Sequence, residues 1–403
     1  MKRCDFFKLI SNFVAKSYKM AGLYIHIPFC KSRCIYCAFY STTQHERMEE
    51  YVDSLCKEME LRKTSHSTLH TPHSTLHTIY LGGGTPSQLS PALLRRLFHN
   101  IYKVYEVAAD AEITMECNPD DVTPDYAQVI GELPINRVSM GAQTFSDERL
   151  HFLHRRHTSS QVKEAVELLR RNGIQNISID LMFGFPGETL QDWEQDIREA
   201  LALNVEHLSA YSLMIEEGTE LYRRYGGTGV REYENNKEEL EREMYEVLID
   251  RLETAGFEHY EISNFAKKGF RSRHNSSYWN GTPYIGLGAA AHSYDIETRH
   301  WNIADIQTYI ERIRQGILPI EETETLDDTT RYNDLITTAL RTREGINLTT
   351  LPPSYRDYLL QNAQKNIVRH LLEITDNHLH LTRQGLFVSD DVMSDLILLE
   401  SEE

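Results

Sequence analysis

The sequence is short of basic residues, of cysteine and of long apolar runs, and each shortage argues against a class of function. Across 403 residues, 42 Lys and Arg stand against 60 Asp and Glu, a formal net charge of −18. Phosphate-rich partners are held by a basic face, so this balance argues against nucleic acid. The apolar runs are far shorter than the ~20 residues that span a bilayer. Six cysteines over this length make no disulfide framework. Grouped thiols in a long chain read instead as metal ligands in a reducing compartment. Two nucleotide-binding signatures are missing as well. No G-x-G-x-x-G follows the first strand candidate, which argues against a doubly wound dinucleotide fold. The run Gly82-Gly83-Gly84 lacks the Gly-Lys-Ser/Thr ending of a P-loop. What remains is an ordinary globular composition, 40% apolar and 25% charged, long enough for one large domain and a smaller one.

The chemistry that is there is concentrated in one loop. Cys30, Cys34 and Cys37 stand as C-x3-C-x2-C, after an apolar stretch that ends at Pro28. Three thiolates this close can face one soft metal centre. A structural zinc site wants four protein ligands, and no second pair is present. A four-iron cubane takes one cysteine per iron. Three cysteines leave one iron open, and an open position is how a metal site admits substrate. The alternatives are a non-redox zinc protein on the same cysteines, or a chance cluster of buried thiols.

Apolar runs alternate with amphipathic stretches. The strand candidates are Leu23–Ile27, Thr78–Leu81, Glu112–Cys117, Arg137–Met140, Ile177–Met182 and His207–Leu213. Helical periods fill the gaps at Met48–Lys63, Pro91–Val104, Thr123–Glu132, Asp147–Leu153, Ser160–Asn172 and Leu190–Leu203. This order predicts an α/β fold, a parallel sheet covered by helices. Function in such folds gathers at the C-terminal ends of the strands. The glycine run, Glu116, Gln143, Arg155 and Asp180 all fall at or just after such ends. Residues 1–20 read as a disordered tail or a mis-assigned start, with Met20 the alternative initiator. The duplicated His66–Thr71 and His73–Thr78 segments read as a surface insertion spanning 64–78, not a metal site. Residues 21–256 form the expected core and 257–325 an extension, with a further strand near Glu258–Phe265. Residues 326–403 read as a small helical, winged-helix-like domain. Its helices are expected at Thr329–Arg341, Ser354–Gln364 and Val392–Glu400, with a hairpin turning at Arg383-Gln384-Gly385.

C-x3-C-x2-C with an aromatic before the last cysteine resembles the signature of the radical S-adenosylmethionine (SAM) enzymes. The longer string Tyr24-Ile25-His26-Ile27-Pro28-Phe29-Cys30 resembles the branch that holds the oxygen-independent coproporphyrinogen III oxidases and a haem chaperone. The resemblance implies an incomplete (β/α)6 barrel. It implies a 4Fe-4S cluster on Cys30, Cys34 and Cys37. It implies SAM contacts at Tyr24, Tyr36, Gly83, Gly84, Thr85, Glu116, Gln143, Arg155, Asp180 and Met214, with Glu116 suited to ribose hydroxyls and Arg155 to the methionine carboxylate. The oxidases carry a fourth cysteine two residues after the third, where this chain has Phe39, and a longer N-terminal arm. Both departures count against oxidative decarboxylation to protoporphyrinogen. His274-Asn275-Ser276-Ser277-Tyr278-Trp279 matches a stretch typical of the chaperones and makes His274 the candidate haem ligand. The implied partners are haem-accepting apoproteins and an electron donor such as a flavodoxin or ferredoxin. The implied location is the cytoplasm, with room for peripheral contact with a membrane.

Overall fold

The computed structural model describes residues 20–64, 75–225 and 237–399. The N-terminal segment through residue 19 and most of the histidine repeat lie outside these. Six parallel strands form the heart of the molecule: β1 (Met20–Ile27), β2 (Thr75–Gly83), β3 (Val107–Cys117), β4 (Arg137–Gln143), β5 (Asn176–Phe183) and β6 (His207–Ser212). They lie side by side in sequence order. The helices between them are α1 (Met48–Thr64), α2 (Pro91–Val104), α3 (Pro124–Glu132), α4 (Asp147–Phe152), α5 (Ser159–Arg171) and α6 (Leu190–Ala202). The end of the repeat does not belong to a surface insertion. Thr75–Thr78 begin β2, with Thr75 and Leu76 registered against Met20 and Ala21.

Local signals set the helix ends. Ser90 accepts from the Leu93 amide and Pro91 opens α2. Proline at the first helical position loses a donor that would be orphaned anyway. Gly173 follows α5 at φ 92°, a backbone conformation that L side chains resist.

Period-two alternation along the strands sorts the two faces of the sheet. Leu23, Ile25, Ile79, Leu81, Ile113, Met115, Val138, Met140, Ile177 and Ile179 point outward into one continuous core under the helices. Each such side chain stabilises by about 1.5–3 kcal/mol when fully buried. The residues between them are polar: Tyr24, His26, Tyr80, Glu112, Glu116, Arg137, Ser139, Asp180 and His207. They meet one another on the concave face.

The segment after residue 256 extends this sheet instead of standing apart from it. After α7 (Glu220–Tyr225) and α8 (Lys237–Thr254), a hairpin of β7 (Phe257–Glu261) and β8 (Asn264–Lys267) adds antiparallel to β6. The short helix α9 (Arg273–Trp279) follows. Next, β9 (Tyr284–Leu287) pairs parallel to the free edge of β1, and β10 (His292–Tyr294), β11 (Thr298–Asn302) and β12 (Ile320–Thr325) continue outward, antiparallel. The helix α10 (Ile306–Arg314) lies between β11 and β12 in sequence and packs on α1. Among the described residues the result is one open, twelve-stranded sheet with no hydrogen bonds closing its two ends.

The C-terminal part has its own apolar core. It consists of α11 (Asp328–Ala339), β13 (Ile346–Asn347), α12 (Pro353–Val368), β14 (Leu372–Thr375), β15 (His378–Leu381), α13 (Arg383–Leu386) and α14 (Ser389–Ser394). Two expectations are corrected here. The hairpin turns at Asp376-Asn377, not at Arg383-Gln384-Gly385. Both turn residues have positive φ, 51° and 62°, as a two-residue hairpin with matching twist requires. Arg383–Leu386 is helical instead, because the Thr382 hydroxyl accepts from the Gly385 amide at 3.1 Å. The last helix covers Ser389–Ser394 in place of Val392–Glu400. Beyond it the chain extends, and the Asn333 side chain accepts from the Leu398 amide at 2.8 Å.

Candidate active site

The cysteine loop is pinched shut at its base and pinned in its middle. Cys30 N–H donates to Thr42 O at 2.9 Å, and Thr42 N–H donates back to Pro28 O at 2.7 Å. Ile35 is buried among Leu153, Met182, Phe185, Leu213 and Leu221. Its amide donates to Leu153 O, and its carbonyl accepts from Leu221 N–H at 2.8 Å. This anchor fixes Cys34 and Tyr36 on either side of it.

Two residues that the resemblance assigns to SAM lie against the sulfurs themselves. Thr85 Oγ1 donates to Cys30 Sγ at 3.5 Å. Arg155 Nη1 donates to Cys34 Sγ at 3.6 Å. The Arg155 Nη2 also reaches the Asn118 side-chain oxygen and Gly141 O, tying the tips of β3 and β4 to the loop. Its Nε, buried, has no partner among the described residues. Burial pushes the Cys30 and Cys37 thiols up, and a bound metal acts in the opposite direction. Among the described residues, no three His, Cys, Asp or Glu converge as a single metal ion requires. A cubane takes one thiolate per iron and spreads its ligands apart. The donor set therefore fits a cluster better than it fits zinc, with an orphaned guanidinium N–H left for an anionic ligand group.

The carboxylates lie at the strand tips. Glu116 accepts from Tyr80 O–H at 2.8 Å and from Gly83 N–H at 3.2 Å. Burial pushes its carboxyl up to about 7. Asp180 is raised to about 6, also by burial, against the pull of Ser209 and Arg137. Gln143 ends β4 at φ 67°. A Cβ on Gly141 would come within 2.6 Å of the Gln143 amide nitrogen, so Gly141 makes the room for that side chain. Met214 is 63% exposed. Phe39 is 70% exposed.

The glycine run makes a close approach, but to the chain itself. A Cβ on Gly83 (φ 105°) would lie 2.5 Å from the His26 ring, and one on Gly84 would lie 2.6 Å from the Pro28 backbone. Gly84 N–H donates to Ile27 O at 2.9 Å. The glycines therefore lock β2 against the start of the cysteine loop.

His274 lies far from the cysteines, near the opposite end of the sheet. Its neighbour Gly22 precedes Ile27 by five residues, about 17 Å of strand. The ring is fully buried and stacks on Tyr80 at 5.1 Å and on Tyr24 at 6.4 Å. Both nitrogens are engaged: Nδ1 with Thr78 Oγ1 at 2.8 Å, Nε2 with Tyr278 O–H at 2.9 Å. The carboxylate of Glu112 takes the amides of Arg273 and His274, both at 3.0 Å. Helix α9 thus plugs the floor of the sheet. Burial lowers His274 to about 3.

Residues 24–200 match the radical SAM superfamily, and residues 326–388 match the HemN C-terminal domain. The structure of Escherichia coli coproporphyrinogen III oxidase, HemN, superposes with a TM-score of 0.80 over 98% of this chain and 94% of that one, at 19% identity. That likeness is one of fold. Sequence carries the finer distinction. The heme chaperone HemW of Bacillus subtilis is 35% identical over 381 residues, covering 93% of this chain and 98% of the relative. The chain belongs to the HemW family. The HemW of Escherichia coli is 36% identical over 273 residues, 67% of this chain and 69% of that one. Membership in the HemW family brings a 4Fe-4S cluster and SAM with its radical SAM domain.

Reading the sequence missed Tyr80, Asn118 and Arg137. The signal for Tyr80 was available, as a polar residue at period two inside an otherwise apolar strand, whereas Asn118 follows its strand and Arg137 opens its own.

Proposed function

We propose that this protein is a radical SAM haem chaperone, which binds a 4Fe-4S cluster, SAM and haem and delivers haem to haem-dependent apoproteins. The observation that carries the reading is the full-length likeness to heme chaperones. Phe39, where the oxidases carry a further cysteine, supports it.

Cys30, Cys34 and Cys37 hold the cluster in this reading. When bound, the cluster would supply an electron for reductive cleavage of SAM. Thr85 donates to the Cys30 sulfur and so favours its thiolate form, and Arg155 donates to the Cys34 sulfur. The Glu116 and Asp180 carboxylates accept from the ribose hydroxyls, and the Gln143 amide orients the same ligand. Gly83 and Gly84 offer backbone to the methionyl amine, and Arg155 takes the methionine carboxylate. Tyr24, Tyr36 and Met214 complete the SAM contacts. Haem is assigned to the α9 segment. For His274 to ligate iron, Nε2 must exchange the Tyr278 hydroxyl for the metal, and the neighbouring rings then pack on the macrocycle. A flavodoxin or ferredoxin serves as electron donor. The setting is the cytoplasm. No helix among the described residues is long and apolar enough to cross a membrane.

The test is a haem titration of anaerobically reconstituted protein, run beside an assay of coproporphyrinogen III decarboxylation. The expected result is stoichiometric haem binding that weakens in His274→Ala, without decarboxylation. Protoporphyrinogen formation without tight haem binding would replace the chaperone with an oxidase. Haem binding unchanged in His274→Ala would move the haem site elsewhere.

A further inference from the structure

Arg137 opens β4 on the concave side of the sheet and is 1% exposed. Its Nε and Nη1 meet no hydrogen-bond partner among the described residues. Thr114, its partner across the β3–β4 register, has an equally unpartnered hydroxyl. A buried cation normally persists only with close partners, because desolvating it costs several kcal/mol. Here the compensation acts through space. One inward step up the strand, about 7 Å, Ser139 stands opposite Glu116 and lies 3.5 Å from Asp180 Oδ1.

The surroundings narrow the role further. The groups that feel Arg137 are Tyr80 from β2, Glu116 from β3, Asp180 from β5, His207 from β6, Tyr260 from β7 and His274 from α9. Burial keeps both histidines neutral, and the tyrosines are uncharged. Glu112 is occupied by the two α9 amides. Asp180 and Glu116 also face each other, and Arg155 and Tyr211 lie within reach of Asp180.

We propose that Arg137 is a positioning residue for SAM: its unpartnered charge, sealed beneath the site, is the counter-charge that keeps Glu116 and Asp180 able to accept from the ribose hydroxyls. This rests on the reading that those two carboxylates meet the ribose. Arg137 itself touches no ligand.

The experiment measures equilibrium SAM affinity against pH on the full chain, reconstituted anaerobically. Among the described residues the Arg137 Nε and Nη1 have no hydrogen bonds to lose, and the carboxyls it faces can take up protons when its charge is removed, so R137M is expected to fold. In the native protein, affinity rises with pH and levels off once both carboxyls are ionised. In R137M the midpoint moves up by about one pH unit or more, some tenfold weaker binding at neutral pH, with affinity recovered in alkali. R137K keeps the charge and the native midpoint. A purely structural role would leave the midpoint unmoved in R137M, or move it equally in R137K, and either result overturns the proposal. The R137K arm decides even where R137M does not fold. E116Q and D180N separate the two levels. If both leave SAM affinity unchanged, the ribose reading fails and Arg137 falls with it. If they weaken it while R137M keeps the native profile, only the role of Arg137 is refuted.

Discussion

Substituting Glu58 tests the packing behind the cysteine loop. Its carboxylate is fully buried on α1 and pairs with Arg62, whose side chain is 1% exposed, at 2.8 Å. It also accepts from Gly288 N–H at 2.9 Å, Asn302 Nδ2 at 2.9 Å and Tyr309 O–H at 2.7 Å. The network joins α1 to the β9–β11 region and to α10. It also borders Tyr51, which donates to His26 O at 2.9 Å and accepts from Ala289 N–H. In Glu58→Ala the Arg62 cation loses its carboxylate, and three donors lose an acceptor. Removing one partner of a buried ion pair costs about 3–5 kcal/mol. The orphaned donors are part of the same loss, because contacts in one network are not additive. At roughly 2 °C per kcal/mol for a large domain, the melting temperature falls by about 6–10 °C. The double variant Glu58→Leu with Arg62→Met removes both charges and should recover most of the loss. Calorimetry on the three proteins is the assay. A melting temperature for Glu58→Ala within 2 °C of the native value would refute the reasoning. So would a double variant as unstable as the single one.

Further outcomes follow from the site. Gly84→Ala forces a methyl group into the Pro28 backbone and should cost about 2–3 kcal/mol. It should also reduce iron loading on anaerobic reconstitution, read from iron content; normal loading and stability would refute the lock. Glu116 titrates higher folded than unfolded, up to about 7, so its contribution is present below pH 4.5 and lost as pH rises through 7. Glu116→Gln should therefore stabilise the protein at pH 8, by up to about 3 kcal/mol, and leave it unchanged near pH 4; equal effects at both pH values would contradict this. His26, His157 and His274 are depressed to about 4, 3 and 3 by burial. Their contribution is present above pH 6.5 and lost as pH falls towards 3, so acid denaturation should steepen below pH 5 in circular dichroism. Replacing Cys30, Cys34 or Cys37 by Ala should abolish iron–sulfur absorbance, while Cys117→Ala, buried in the helix-side core, should retain it.

The six parallel strands and the helices between them were legible because their apolar periods are long and their ends carry caps, as Ser90-Pro91 does for α2. The edge strands were not. β10 has three residues and β9 four, too few to display a period, and the partner that makes β9 a strand is β1, remote in sequence. The turn at Asp376-Asn377 was overlooked because Gly385 offered a stronger local signal, which Thr382 turns into a helix cap. The cysteine loop, Glu116 and Asp180 stood out by residue type at strand ends. Arg137 did not, because it begins its strand, and only the three-dimensional register places it beneath two carboxylates.

The pairing of β9 with β1 sets the order in which the chain can be completed during synthesis. Gly22 meets Tyr284, so the outer edge of the first strand waits for roughly 260 further residues to emerge. At about 5–20 residues per second that is roughly 13–50 s. Throughout this interval the cysteine loop is already outside the ribosome on a strand with one open flank. An unpaired strand edge invites pairing with other chains, so the nascent protein is most exposed to aggregation until β9 emerges, and the arrival of that short strand ends the exposure.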